Sequence, residues 1–138
     1  MIKTNIEFRK LKIKPNQYGN ILKDVYYIIE NGRSQVKEAF NDLCDDEKDE
    51  VKSLITKMAT VENFQSLKIR YHLKKYDFGE IKPLPHRFFF FQKYGNNIIF
   101  FAYEIKKKDS LGDSIYKRLN KEKERYEKEF EKYIQGNR

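Results

Sequence analysis

The amino-acid sequence predicts an α+β domain in which a helical hairpin and a carboxy-terminal helix pack on a small, mainly antiparallel sheet. Three observations carry this. Two aromatic and β-branched runs, His86 to Tyr94 and Ile98 to Ile105, flank Gly95-Asn96-Asn97, which is hairpin chemistry. Two helical apolar stripes follow one another between Ser34 and Met58, and a Lys/Glu-rich helical pattern closes the chain. At 138 residues the chain is long enough for one core and short for two, so residues 1–138 are read as a single domain. Within it, 1–23 is an arm or edge strand, 24–120 the core and 121–138 a helical extension.

In chain order, Ile6, Phe8, Leu11 and Ile13 mostly alternate with charges, as an edge strand or an arm does. Asp24 to Glu30 is β-branched and aromatic and closes on Asn31-Gly32, so a strand is expected there. Ser34 is placed to cap a helix whose apolar positions are Val36, Ala39, Phe40 and Leu43. A second helix opens at Asp45 and Asp46, where carboxylates favour the exposed amides, and buries Val51, Leu54, Ile55 and Met58. The acidic side chains here, Asp42, Asp45, Asp46, Glu47, Asp49 and Glu50, lack the Gly-containing spacing of an oxygen-ligand loop and read as a solvated surface. A short strand is expected at Phe78 to Lys82, before Pro83 and Pro85, which cannot donate to a ladder.

The hairpin over 86–105 is nearly unbroken in its apolarity, which requires cover on both faces, from the helical hairpin on one and the last helix on the other. Phe88 to Phe91 therefore belong to the core rather than to a base-stacking platform. The last helix should begin near Ser110 or Asp113 and stop at Gly136, with Ile115, Leu119, Tyr126, Phe130, Tyr133 and Ile134 as its stripe. Its far end is expected to project from the body.

Charge narrows the function. The net charge is +8, unevenly spread: residues 1–23 carry six Lys/Arg against Glu7, and residues 24–65 carry five basic and ten acidic side chains. Residues 66–105 carry seven basic and three acidic, and residues 106–138 eleven and seven. A polyanion is drawn to the second half and repelled by the acidic helical region, which points to a directional basic face. Cys44 is the only cysteine, so no intramolecular disulfide forms. The start of the chain, Met1-Ile-Lys-Thr-Asn, lacks a signal peptide's apolar stretch, and the run from Ile98 to Tyr103 is too short to span a bilayer. A cytoplasmic location with no membrane partner is expected. The sequence has no glycine-rich phosphate loop, no Cys/His metal spacing and no G-x-S-x-G elbow, so neither a cofactor nor a metal is expected. What remains is a concentration of Lys82, His86, Arg87, Lys106, Lys107 and Lys108 at predicted strand ends, where sites tend to be built.

The ordered set Glu80-Ile81-Lys82, then His86-Arg87-Phe88-Phe89-Phe90-Phe91, then Gly95-Asn96-Asn97-Ile98-Ile99 resembles the HigB/RelE-like toxins of type II toxin–antitoxin systems. In that family an E-L-R-like strand leads to a Y-R-I-F-Y-F-like strand and a G-N-x-I-V turn. Ile105-Lys106-Lys107-Lys108 is similar to their F-x-K-K segment, and the helical hairpin after a first strand matches their layout, so the resemblance covers roughly residues 24–120. It implies a compact β-α-α-β-β-β-α fold, ribosome-dependent endoribonucleolytic cleavage of messenger RNA, and neutralisation by a cognate antitoxin. Family members commonly carry Arg where Lys82 stands and Thr where Lys108 stands; Lys keeps the attraction for phosphate but loses the bidentate fork.

Metal-free RNA cleavage needs a base for the 2′-hydroxyl, cations for the phosphorane and an acid for the leaving 5′-oxygen. Arg87 is the candidate charge stabiliser, with a surface ion pair as its alternative. Lys82 and Lys107 would hold phosphate or act as base, and Lys93, Lys106 and Lys108 would bind RNA, the alternative being a solvated lysine row. His86 is a candidate because imidazole is a common general acid or base, but neighbours in a regular strand face opposite ways, so it and Arg87 cannot easily address one phosphate. Tyr116 is a candidate acid, base or stacking residue, or a core residue. Two further readings stand beside cleavage: a non-catalytic or gyrase-directed ParE-like toxin, and a basic nucleic-acid-binding module.

Overall fold

The computed structural model describes residues 5–13, 19–83, 85–105 and 112–136. Nine elements follow in order: β1 (Ile6–Lys10), β2 (Asp24–Glu30), α1 (Gln35–Asn41), α2 (Asp45–Thr60), β3 (Ile69–Arg70), β4 (Gly79–Ile81), β5 (His86–Lys93), β6 (Asn97–Ile105) and α3 (Asp113–Gly136). The strands form one sheet in the order β1-β2-β6-β5-β4-β3. It is mixed: β2 runs parallel to β6, and every other neighbour is antiparallel. The parallel junction follows from the crossover through α1 and α2, which carries the chain over one face before it returns beside β2.

Local chemistry accounts for the helix starts. The Ser34 hydroxyl accepts from the Lys37 amide (3.1 Å), capping α1. At α2 the Glu47 carboxylate turns back to accept from the Cys44 amide (3.0 Å), so Cys44 holds the cap position and Glu47 the returning arm of a capping box. The β5–β6 turn uses Tyr94 and Gly95 at positive φ (58° and 75°), the backbone sense that suits a tight hairpin.

Helices cover both faces of the sheet. Val25, Ile81, Phe88, Phe90, Ile98 and Phe100 point to the side of α2, against Val51, Leu54 and Met58. Tyr26, Ile28, Phe89, Phe91, Ile99 and Phe101 point to α3, against Leu119, Tyr126 and Phe130. A bulge between Phe89 and Phe90 leaves one extra residue in β6 and resets its alternation. Phe101 and Ala102 therefore both face α3, Tyr103 turns to α2, and Glu104 comes to lie opposite Arg87.

One expectation is corrected. The far half of α3 does not project: Phe130 is fully buried, with ring centroids 5.1 Å from Phe8 and 5.2 Å from Tyr26. The reason lies in β1, where Phe8 supplies the apolar partner for that half of the helix; of the arm-or-edge-strand alternatives, the edge strand is the one formed. A salt bridge reinforces the attachment: Arg125 donates twice to Glu30 at the end of β2 (2.6 and 3.0 Å), and the Tyr126 hydroxyl donates to the same carboxylate (2.6 Å). Among the described residues no helix is long and apolar enough to cross a membrane.

Candidate active site

At the end of the sheet where β5 begins, alternation sends His86 and Arg87 to opposite faces. On the α3 face Arg87 is 4% exposed and lies beside Glu80, 2% exposed, which β4 presents from the neighbouring strand. The Arg87 Nε stands 3.5 Å from Glu80 Oε2, an ion-pair distance too long for a good hydrogen bond. Glu80 Oε2 has no hydrogen-bond partner, and among the described residues it is the buried side-chain polar atom left in that state. The guanidinium of Arg87 donates to the His86 carbonyl (3.2 Å), and from β3 the Arg70 Nε reaches 4.0 Å from Glu80 Oε1.

The first turns of α3 lie against this group. Tyr116 stacks on Tyr76 (centroids 6.3 Å apart, planes at 20°) and meets Phe89 edge-on. The Tyr76 hydroxyl donates to Asp113 (3.3 Å), which fixes the stack to the start of the helix. Burial raises the Tyr116 phenol above its ordinary value and the charge of Glu80 raises it further, against the opposing pull of Arg70 and Arg87. Tyr116 thus keeps its proton at neutral pH. Glu104, opposite Arg87, is ion-paired with Arg118 of α3. The arrangement places a carboxylate, two guanidinium groups and a protonated phenol within one patch.

The opposite face carries a second constellation. His86 Nδ1 is 2.6 Å from the Tyr103 hydroxyl and Nε2 is 3.0 Å from Glu47 Oε2. Burial first, then the charges of Glu47, Asp42 and Glu104, raises the Tyr103 phenol. The Glu47 carboxyl is held below its usual range, chiefly by the Cys44 amide. His86 therefore ties the start of α2 to the sheet and is separated from Arg87 by the sheet itself.

Lys82 and Lys93 are the remaining candidates among the described residues. Lys82 follows β4, its amide donating to the Lys68 carbonyl (2.7 Å). Lys93 stands at the far end of β5, about 20 Å of strand from Arg87, ion-paired with Glu131 (2.7 Å) and Glu127 (3.4 Å) of α3. Those acids raise its ammonium above the ordinary value and occupy the charge that RNA would need. Lys106, Lys107 and Lys108 lie outside the described residues. Among the described residues no group of three or more His, Cys, Asp or Glu is placed to share a metal ion.

Sequence reasoning named Arg87, His86 and Tyr116, and did not name Glu80, Arg70, Glu104, Glu47 or Tyr103 as site residues. A signal existed for Glu80: a lone acid in a short apolar strand, next to the strand that carries a buried Arg, needs a partner. For Tyr103 and Glu104 there was none, since the bulge decides their faces. No protein-family model, curated protein or solved structure matches the chain.

Proposed function

We propose that this chain is the toxin of a type II toxin–antitoxin pair: a cytoplasmic endoribonuclease of the HigB/RelE type that cuts messenger RNA on the ribosome and is silenced by a cognate antitoxin. The observation that carries the reading is the convergence of Glu80, Arg87, Arg70 and Tyr116 at one end of one sheet face. In the proposed reaction the Glu80 oxygen left without a hydrogen bond takes the 2′-hydroxyl proton and the 2′-oxygen attacks the adjacent phosphorus. Arg87 and Arg70 neutralise the phosphorane, and Tyr116 gives its proton to the departing 5′-oxygen, leaving a 2′,3′-cyclic phosphate. Because Glu80 and Arg87 are buried, RNA engages them only when the side chains packed over them move aside. The basic second half of the chain, with Lys82 and Lys106 to Lys108, draws the substrate in and leaves orientation to the two arginines.

The test is induced expression followed by mapping of messenger RNA ends, with Tyr116→Phe and Glu80→Gln as controls. Growth arrest with new 5′ ends inside translated frames, lost in both variants while they stay folded by circular dichroism, is the expected outcome. The burial of Glu80 and Arg87 favours a second reading, in which the pair is structural and the chain is a non-catalytic or gyrase-directed toxin, or a basic nucleic-acid-binding module. Arrest without new ends, or cleavage that persists in both variants, rejects the catalytic assignment.

A further inference from the structure

On the α2 face, away from the candidate active site, an apolar cavity of about 300 Å³ opens between the helical hairpin and the sheet. Its floor is Ile81, Phe88 and Phe100, and its walls include Phe40, Val51 and Ile55. Three exposed lysines stand around it, each from a different segment: Lys12 after β1, Lys37 on α1 and Lys52 on α2. Among the described residues no acidic side chain lines it, although residues 24–65 carry twice as many acids as bases.

The lysines are placed against their own electrostatics. The ammonium groups of Lys37 and Lys52 lie 5.4 and 5.9 Å from the centroid of the same Phe40 ring, two like charges gathered on one aromatic side chain. Neither they nor Lys12 has a carboxylate partner among the described residues. Apolar walls with convergent cations, in a cavity at the small end of the range that holds organic ligands, specify a molecule with an apolar body and one anionic end.

We propose that this cavity binds a medium-chain monocarboxylate, the alkyl chain against Val51, Ile55 and Phe88 and the carboxylate between Lys37 and Lys52. The volume sets the chain length: it is too small for a long acyl tail. Charge complementarity sets the head group, because an uncharged amphiphile gains the same apolar contact and leaves the two ammonium groups unpaired. This site is independent of the ribonuclease reading and lies on the other face of the sheet.

The experiment is amide-resolved NMR titration of the full chain with sodium decanoate and, in parallel, 1-decanol, both below micelle formation. Decanoate is expected to give saturable shifts centred on Tyr27, Val51, Ile55 and Phe88 and to bind about ten-fold more tightly than decanol. The Lys37→Glu, Lys52→Glu double variant changes two exposed positions; it should lose that ten-fold advantage and bind decanol as the parent does. Shifts that spread over the surface without saturating, equal affinity for the two probes, or undiminished decanoate binding by the double variant would each overturn the assignment.

Discussion

Glu80→Gln separates the electrostatic role of the buried pair from any chemistry. The substitution keeps the shape and removes one charge, leaving the Arg87 guanidinium, 4% exposed, with the His86 carbonyl as a hydrogen-bond acceptor at 3.2 Å. Removing one member of a buried pair costs about 3–5 kcal/mol, because the other charge stays desolvated and uncompensated. Two features move the value to the low end. The 3.5 Å contact is loose, and Glu104 stands opposite Arg87 in the register and offers partial compensation. We expect a loss of about 3 kcal/mol, or about 10 °C in the melting temperature for a domain of this size. The paired change Glu80→Met with Arg87→Met removes both charges and should return to within about 1 kcal/mol of the parent. Urea unfolding of the three proteins at constant m-value measures this. A loss below about 1 kcal/mol for Glu80→Gln, or equal losses for the single and paired variants, would refute the coupling.

Gly79→Ala should destabilise the chain by about 2 kcal/mol, since its Cβ would stand 2.3 Å from the Arg70 carbonyl oxygen and 2.6 Å from that of Tyr71. Faster amide exchange at Phe89 and Phe90, the β5 partners of Glu80 and Gly79, reads it out. Lys93→Met breaks the pairs with Glu127 and Glu131; we expect about 0.5–1 kcal/mol of lost stability and unchanged RNA affinity in filter binding. Glu30 is held below its ordinary 4.5, first by the Arg125 hydrogen bond. A lowered carboxylate contributes stability that is present above its unfolded value and lost as pH falls through its folded one. The melting-temperature gap between the parent and Glu30→Gln should therefore stand above pH 4.5 and close as the pH falls below it.

The elements legible in the sequence are those set by local periodicity. The helix from Asp45, the hairpin of His86 to Ile105 and the helix ending at Gly136 each contain their own repeat, cap or turn. β3 has two residues, too few to show a period, and forms because Ile69 and Arg70 find Ile81 and Glu80 across the sheet. The expectation that α3 projects failed for a related reason. The apolar positions Tyr133 and Ile134 were visible, but their partner Phe8 lies more than a hundred residues away, in a segment whose alternation is too short to assign.

The candidate site divides along the same line. That His86 and Arg87 diverge follows from strand alternation alone, and the structure separates them accordingly. The sequence offers Arg87 as a charge stabiliser or as half of a surface ion pair, and both readings miss the exception to arginine's usual exposure, which is burial beside a carboxylate. The exception required Glu80, which reaches Arg87 only through the pairing of β4 with β5. Without the bulge, strict alternation in β6 would turn Glu104 toward α2 and Tyr103 toward α3. Arg87 would then face Tyr103, His86 would lose its 2.6 Å contact, and Arg118 would have no Glu104 to hold. One extra residue, at a position marked by no glycine or proline, therefore separates a buried ion-pair network on one face from a His–Tyr–Glu chain on the other. The residue types on each face were present in the sequence, but their assignment to faces was a property of the sheet.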